Sequence, residues 1–375
     1  MRKRPFNFAP GPAVLPEPVL QRAAEEMLSW QGSGMSVMEM THRGPLFSKI
    51  HEKTLADFRA LLALDNDHEI LFMQGGATAQ NAIVPMNLLS VNTKCDYVHT
   101  GHWSAKSIDE AKKYGDVHVA ATAAAPSGGF PAFGYIPAQD QWRVRPDTAY
   151  LHICGNETIG GVEYPQFPKM TDLGTPDVPL VVDMSSHVLS RPMDFSSIGL
   201  AYGGAQKNIG PSGLTFVILH RRLIESRAPK ALASCPSVFD YRKVLENNSL
   251  LNTPSTFAIY MAGLVFEWLI AEGGVAEMAR RNALKAQMVY DTLDASSFYR
   301  TQVDPAARSK MNIPFYLPED RLYEPFLQGA QAAGLLNLKG HKAVGGLRAS
   351  LYNAMPLEGA MHLVEYLKAF EKDHG

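Results

Sequence analysis

Residues 95–121 read CDYVHTGHWSAKSIDEAKKYGDVHVAA. A short apolar run, a charged stretch long enough for a helix and a second short apolar run follow one another. Buried parallel strands joined by crossover helices have this texture, because strands covered on both faces need no polar side. The pattern extends both ways, to EILFMQ at 69–74, AYLHIC at 149–154 and PLVVDMSS at 179–186. LTFVILH at 214–220 follows GGAQKNIGPSG (203–213) too closely for a helical crossover, which predicts an antiparallel strand. The fold class is therefore α/β, with a large, mainly parallel sheet.

Helical spacing brackets this core. Val19, Leu20, Ala23, Ala24, Met27 and Leu28 form one stripe behind Pro16 and Pro18, and Phe47, Ile50, Phe58, Leu61 and Leu62 another over about 45–63. Thr256–Ala271 and Gly274 to about Leu293 read as long helices. After them MNIPFYLP, VGGLRASLYNA and a terminal helix suit a small α+β unit. The expected division is an N-terminal segment at 1–15, a large domain at 16–260 and a small C-terminal domain at 261–375, linked by a long helix. Met35, Met38 and Met40 are read as packing residues.

Composition narrows the function. A chain of 375 residues, 46% hydrophobic and 19% charged with net charge −2, has no basic excess to attract nucleic acid or an anionic membrane. Cys95, Cys154 and Cys235 are too few and too scattered for a disulfide framework or a paired zinc site, and read as buried thiols in a reducing compartment. No apolar run reaches membrane-spanning length and the basic N-terminus precedes no apolar leader, so a cytoplasmic protein is expected. The sequons at Asn156 and Asn247 are then chance matches.

In open α/β sheets ligands bind beyond the carboxyl ends of the strands. GGATAQ follows EILFMQ: Gly75 and Gly76 admit a close backbone approach, and Ala77 and Thr78 open a helix whose free N–H groups suit a phosphate, or make a plain turn. Gly101-His102-Trp103 delivers a ring that stacks on a flat ligand or packs in the core. GNETIGG offers Asn156, Glu157 and Thr158 as hydrogen-bonding groups or caps. Asp183 ends an apolar strand, where a carboxylate needs a partner: a metal, an arginine or a protonated ring nitrogen. Only His187 lies near enough in sequence to assist a metal, so no metal site is expected.

Lys207 follows Asp183 by 24 residues, about one loop, helix and strand, so the two can meet at one sheet edge. A lysine among glycines and small residues, with no charged neighbour between Asp194 and His220, is free to condense with a carbonyl. If that carbonyl is pyridoxal phosphate, every piece has a use, with lysine for the aldehyde, aspartate for the pyridinium, Trp103 for the ring face and a helix N-terminus for the phosphate.

SVMEMTHRG, NETIGG, SSHVLSRP, GGAQKNIGPSGLT, LNTPSTFAIY and GLRASLYNAMPLEG carry a resemblance that runs from FNFAPGPAVLP to the C-terminus. The chain resembles the phosphoserine aminotransferase family, fold-type I pyridoxal-phosphate enzymes of class V. The resemblance implies that Lys207 bonds the cofactor's aldehyde, Asp183 partners its ring nitrogen, Trp103 stacks on it and Thr158 donates to its phenolic oxygen. Ala77, Thr78, Ser185 and Gln206 would hold the phosphate, joined by Asn252 and Thr253 from the second subunit of a homodimer. Arg348 would clamp the substrate's α-carboxylate, and His42 and Arg43, with His341 and Lys342, the distal anion. The last pair is more often His-Arg in the family; Lys342 keeps the charge and loses the planar fork, which bears on distal-anion affinity and not on reaction type.

The reaction so implied is reversible amino transfer from glutamate to 3-phosphohydroxypyruvate, giving O-phospho-L-serine and 2-oxoglutarate in serine biosynthesis. A second use in vitamin B6 biosynthesis is also implied. Three rivals lack a feature they need. A cysteine desulfurase needs a catalytic cysteine on a mobile loop, yet none follows Cys235; a dinucleotide oxidoreductase needs G-x-G-x-x-G after its first strand; a fold that had lost catalysis would be expected to lack Lys207 or Asp183.

Overall fold

The computed structural model describes residues 4–375; the first three residues of the expected N-terminal segment lie outside that range. Seven strands form one sheet: β1 His68–Met73, β2 Lys94–His99, β3 Asp116–Thr122, β4 Leu151–Cys154, β5 Leu180–Asp183, β6 Ile198–Gly204 and β7 Thr215–His220. Their order is β1-β7-β6-β5-β4-β2-β3. Only β7 runs antiparallel, to both β6 and β1, as its short connection requires. β4 and β5 are buried along their whole length, which is why they read as continuous apolar runs. Register sets Cys154 beside Asp183 and Asp183 beside Tyr202, so the carboxylate ends a central strand.

Helices α1 Glu17–Glu25, α2 Pro45–Leu61, α3 Gly76–Leu88 and α4 His102–Ala111 precede or cross over the sheet. α5 Thr256–Ala271 packs on α2, where the Phe58 and Phe266 rings stack with centroids 4.7 Å apart. α6 Gly274–Ala295 leaves α5 at 82°, a turn taken at Gly273 and Gly274, both with positive φ. Val275 and Met278 of α6 join the core of the large sheet. Ala286, Val289 and Leu293 join a second core with β8 Asn312–Phe315, α7 Tyr323–Ala332, β9 Leu347–Ser350 and α8 Leu357–His374. The N-terminal segment joins this second core: Phe6–Asn7 pairs with Leu335–Leu336, and Phe8 is buried there. Among the described residues no single helix is long and apolar enough to cross a membrane.

Three expectations need correction. No helix lies between Asp183 and Lys207; residues 184–197 are turns. Three of their carbonyls are satisfied from outside, Val188 by Asn208, Leu189 by Asn353 and Ser190 by Asn282, while Arg191 of the segment donates to Tyr164 O. Pro192 also stands against a continuous helix. Next, α1 stops at Glu25, so Leu28 is 85% exposed, and Met35 and Met38 are 38% and 58% exposed, while Met40 alone of the three methionines is buried. Lastly, Cys95 and Cys154 are buried free thiols, but Cys235 is half-buried.

Candidate active site

A cavity of about 560 Å³ opens at the carboxyl ends of β4, β5 and β6, within the size range of small-molecule sites. Asp183 enters it from the end of β5. Lys207 enters from the turn after β6, in which Ala205 O accepts from the backbone N–H of both Lys207 and Gly210. Lys207 Nζ donates to Thr158 Oγ1 at 2.8 Å and stands 5.9 Å from the centroid of the Trp103 ring.

Charge is arranged around this amine. Burial lowers the Lys207 pKa, with the Asp183 carboxylate opposing that shift, and a lysine so placed is a better nucleophile near neutrality. Burial raises the Asp183 pKa, opposed by the Ser185 hydroxyl and the Lys207 ammonium. Ser185 gives both its N–H (2.9 Å) and its hydroxyl (2.6 Å) to Asp183 Oδ1, which leaves Oδ2 for another partner. In this arrangement the Ser185 proton serves the carboxylate. Arg348, only 5% exposed, donates to Thr158 O at 3.2 Å and meets no carboxylate within 4 Å among the described residues; its Nε has no partner. A buried guanidinium without an anion is costly, and burial lowers its pKa. The site is built to receive a negative charge.

Ten of the expected site residues line this one cavity: Ala77, Thr78, Trp103, Thr158, Asp183, Ser185, Gln206, Lys207, His341 and Arg348. Trp103 sits in the first turn of α4. Five do not. Asn252 and Thr253 are exposed and tied to Gln74, whose Nε2 donates to Thr253 O and whose Oε1 accepts from Asn252 Nδ2. His42, 8% exposed with an unpartnered Nε2, and exposed Arg43 lie ahead of α2, and Lys342 lies on the loop past His341. The sequence reading missed Pro10, Gly11 and Pro12, which cover the lysine: a Cβ on Gly11 would lie 3.2 Å from Lys207 Cγ. A glycine between prolines was the available sign. It also gave no role to Ser186, Ser212 and Gly213 on the cavity wall.

The fit to pyridoxal phosphate is testable on the residues themselves. No side chain caps the first turn of α3, and Gly75 enters it with φ +95, so the N–H groups of that turn are free for a phosphate. The buried indole Nε1 of Trp103 has no partner. An amine, a strand-end carboxylate, a ring face and an uncapped helix N-terminus meet around one cavity, and these are the groups the cofactor needs.

The chain is similar to known proteins along nearly its whole length. Residues 5–363 match the family model described as Aminotransferase class-V. A phosphoserine aminotransferase of Bordetella parapertussis is 55% identical over 381 residues, covering all of both chains. One from Burkholderia ambifaria is 56% identical over 369 residues, 98% of this chain and 99% of the relative. Among solved structures, phosphoserine aminotransferase from Bacillus circulans subsp. alkalophilus superposes with a TM-score of 0.93 at 42% identity, covering 99% of each chain. A pyridoxal-phosphate-bound phosphoserine aminotransferase from Trichomonas vaginalis superposes with a TM-score of 0.90 at 38% identity, covering 97% of this chain and all of that one. The chain belongs to the class-V aminotransferase family of pyridoxal-phosphate enzymes.

Proposed function

We propose that this enzyme moves the amino group of glutamate to 3-phosphohydroxypyruvate, forming O-phospho-L-serine and 2-oxoglutarate. When bound, pyridoxal phosphate supplies an aldehyde that takes up the amino group and a ring that accepts the electron pair released at the α-carbon. The observation that carries the reading is the meeting of Lys207, Asp183 and an anion-less Arg348 in one cavity.

The residue roles follow from chemistry at stated atoms. Lys207 Nζ would hold the cofactor's aldehyde and, once freed by a substrate amine, would carry the α-proton as general base and acid. Its depressed pKa supports that use. Asp183 Oδ2, free of Ser185, would partner the ring nitrogen and keep it protonated. Trp103 would stack on the ring face and Thr158 Oγ1 would serve the phenolic oxygen. Gly76, Ala77 and Thr78, with Gln206, would take the phosphate, Ser185 joining them only if its hydroxyl turned from Asp183 Oδ1, and Arg348 would take the α-carboxylate as a two-pronged donor.

His42, Arg43, Asn252 and Thr253 are proposed to complete the site of a second copy in a homodimer, since none lines the cavity of its own chain. The exposure of the apolar side chains Leu28, Met35 and Met38, in the segment that precedes His42 and Arg43, supports an interface there. His341 and Lys342 add charge to the distal anion site. A separate C-terminal core supports a small C-terminal unit, but Met261 to Met278 pack in the core of the large sheet and Phe8 in the C-terminal core, so the cores divide later than 260/261 and the N-terminal segment goes with the small unit. Three free thiols support a cytoplasmic location.

Rates of amino transfer to 2-oxoglutarate from phosphoserine, serine and alanine test the assignment. The distal cations predict a large preference in kcat/KM for phosphoserine. Equal rates with serine would remove them from the site.

A further inference from the structure

Glu157 has no part in the chemistry above, yet it is a wholly buried carboxylate with no cation within ion-pairing distance among the described residues. All its partners belong to the start of α4. Oε2 accepts from Trp103 N at 2.9 Å, and Oε1 accepts from Ser104 N at 2.9 Å and Ser104 Oγ at 2.7 Å. The residue at the head of that helix is Gly101, which has no side chain to cap it. Glu157 supplies the missing cap from a different part of the chain, 54 residues away from Trp103.

The fit is close. A Cβ on Gly101 would fall 2.6 Å from Glu157 Cδ, so the bare Cα makes room for the carboxylate. The negative charge also meets the positive end of the helix dipole, buried from solvent that would screen it. The short Asn156–Glu157 strand then divides its labour: Asn156 bonds Ser186 and Asn312, Glu157 holds α4, and the next residue, Thr158, accepts from Lys207.

We infer that Glu157 is a positioning residue that sets the plane of the Trp103 indole against the cofactor by capping α4 through the Trp103 and Ser104 N–H groups. The inference rests on the proposed stacking role of Trp103. Without the cap, the turn that bears the indole loses its fixed direction, and the ring face no longer matches a flat ligand at its ideal spacing.

A double-mutant cycle tests this on cofactor affinity, read without turnover by equilibrium dialysis of pyridoxal phosphate against apoenzyme. W103A is expected to weaken binding about tenfold, the order of one lost aromatic stack with its area. E157Q keeps the shape but replaces one accepting oxygen with a donor, and is expected to weaken binding about fivefold and to reduce the induced circular dichroism of the bound cofactor. In the W103A background, E157Q should add less than twofold. G101A, which displaces the carboxylate without altering it, should behave like E157Q and serves if E157Q does not fold. Full additivity of E157Q or G101A with W103A would overturn the inference while leaving the stacking role intact. A W103A enzyme with unchanged affinity would overturn both.

Discussion

Replacing Arg348 by methionine separates the demands of catalysis from those of folding. The guanidinium is 5% exposed, makes one hydrogen bond, to Thr158 O, and leaves Nε unpaired. In the free enzyme it therefore bears a desolvation cost that no anion offsets. Methionine of similar length relieves that cost, and the expected gain is about 1–2 kcal/mol. A chain of 375 residues unfolds with an entropy of roughly 0.8 kcal/mol/K, so Tm should rise by about 1–3 °C. Catalysis should move the other way. Losing one partner of a buried, hydrogen-bonded charge pair costs about 2–5 kcal/mol, or roughly 30- to 5,000-fold in kcat/KM for glutamate. Arg348→Lys, which keeps the charge without the fork, should fall between the two. Single-turnover absorbance of the bound cofactor against glutamate concentration gives the rate, and differential scanning fluorimetry the Tm. A methionine variant that loses stability, or that reacts with glutamate within about threefold of the parent, would show that Arg348 is not held in waiting for an anion.

Other consequences can be measured alongside it. His51 and His152 are buried, and burial lowers their pKa values to about 4 and about 3, below the 6.5 of an unfolded chain. The unfolded state alone takes up these protons as pH falls from 6.5 towards 4, so stability should drop there by up to about 1.4 kcal/mol per pH unit for each histidine. Thermal melts from pH 7 to 5 check the slope, which His51→Gln should flatten. Gly11→Ala puts a Cβ 3.2 Å from Lys207 Cγ at φ +133, and should slow recapture of pyridoxal phosphate by apoenzyme about five- to thirtyfold in stopped-flow absorbance. Mixing inactive Lys207→Ala and Arg43→Ala homodimers under exchange should restore about a quarter of the parental rate, as statistical heterodimers with one intact shared site require. No recovery would place Arg43 outside its partner's site.

The parts legible in the sequence are those whose physics is local. β1, β4 and β5 stood out because strands buried on both faces are largely apolar, and α5 because its sixteen residues form an apolar run too long for a strand. Asp183 and Lys207 stood out because a charge after an apolar strand, or alone among glycines, needs a reason. What failed depended on distant partners. Length suggested a helix between Asp183 and Lys207, but side chains from Asn208, Asn282 and Asn353 satisfy that backbone, two of them from beyond residue 280. The cover over Lys207 comes from residues 10–12, held there by distant partners: Phe6–Asn7 pairs with Leu335–Leu336, Tyr352 donates to Pro10 O and Ala13 N to Gln206 O. The purpose of Glu157 was invisible because its cap is delivered across the fold.

Every role assigned above turns on Lys207 bearing the cofactor and releasing it to an amino donor. Borohydride reduction of the holoenzyme followed by peptide mass spectrometry is the sharpest check of that bond. A reduced pyridoxyl-phosphate mass is expected on the peptide containing Lys207, absent when glutamate is added before the reductant and absent in Lys207→Ala. A label on another lysine, or one that glutamate does not remove, would be incompatible with the role given to Lys207.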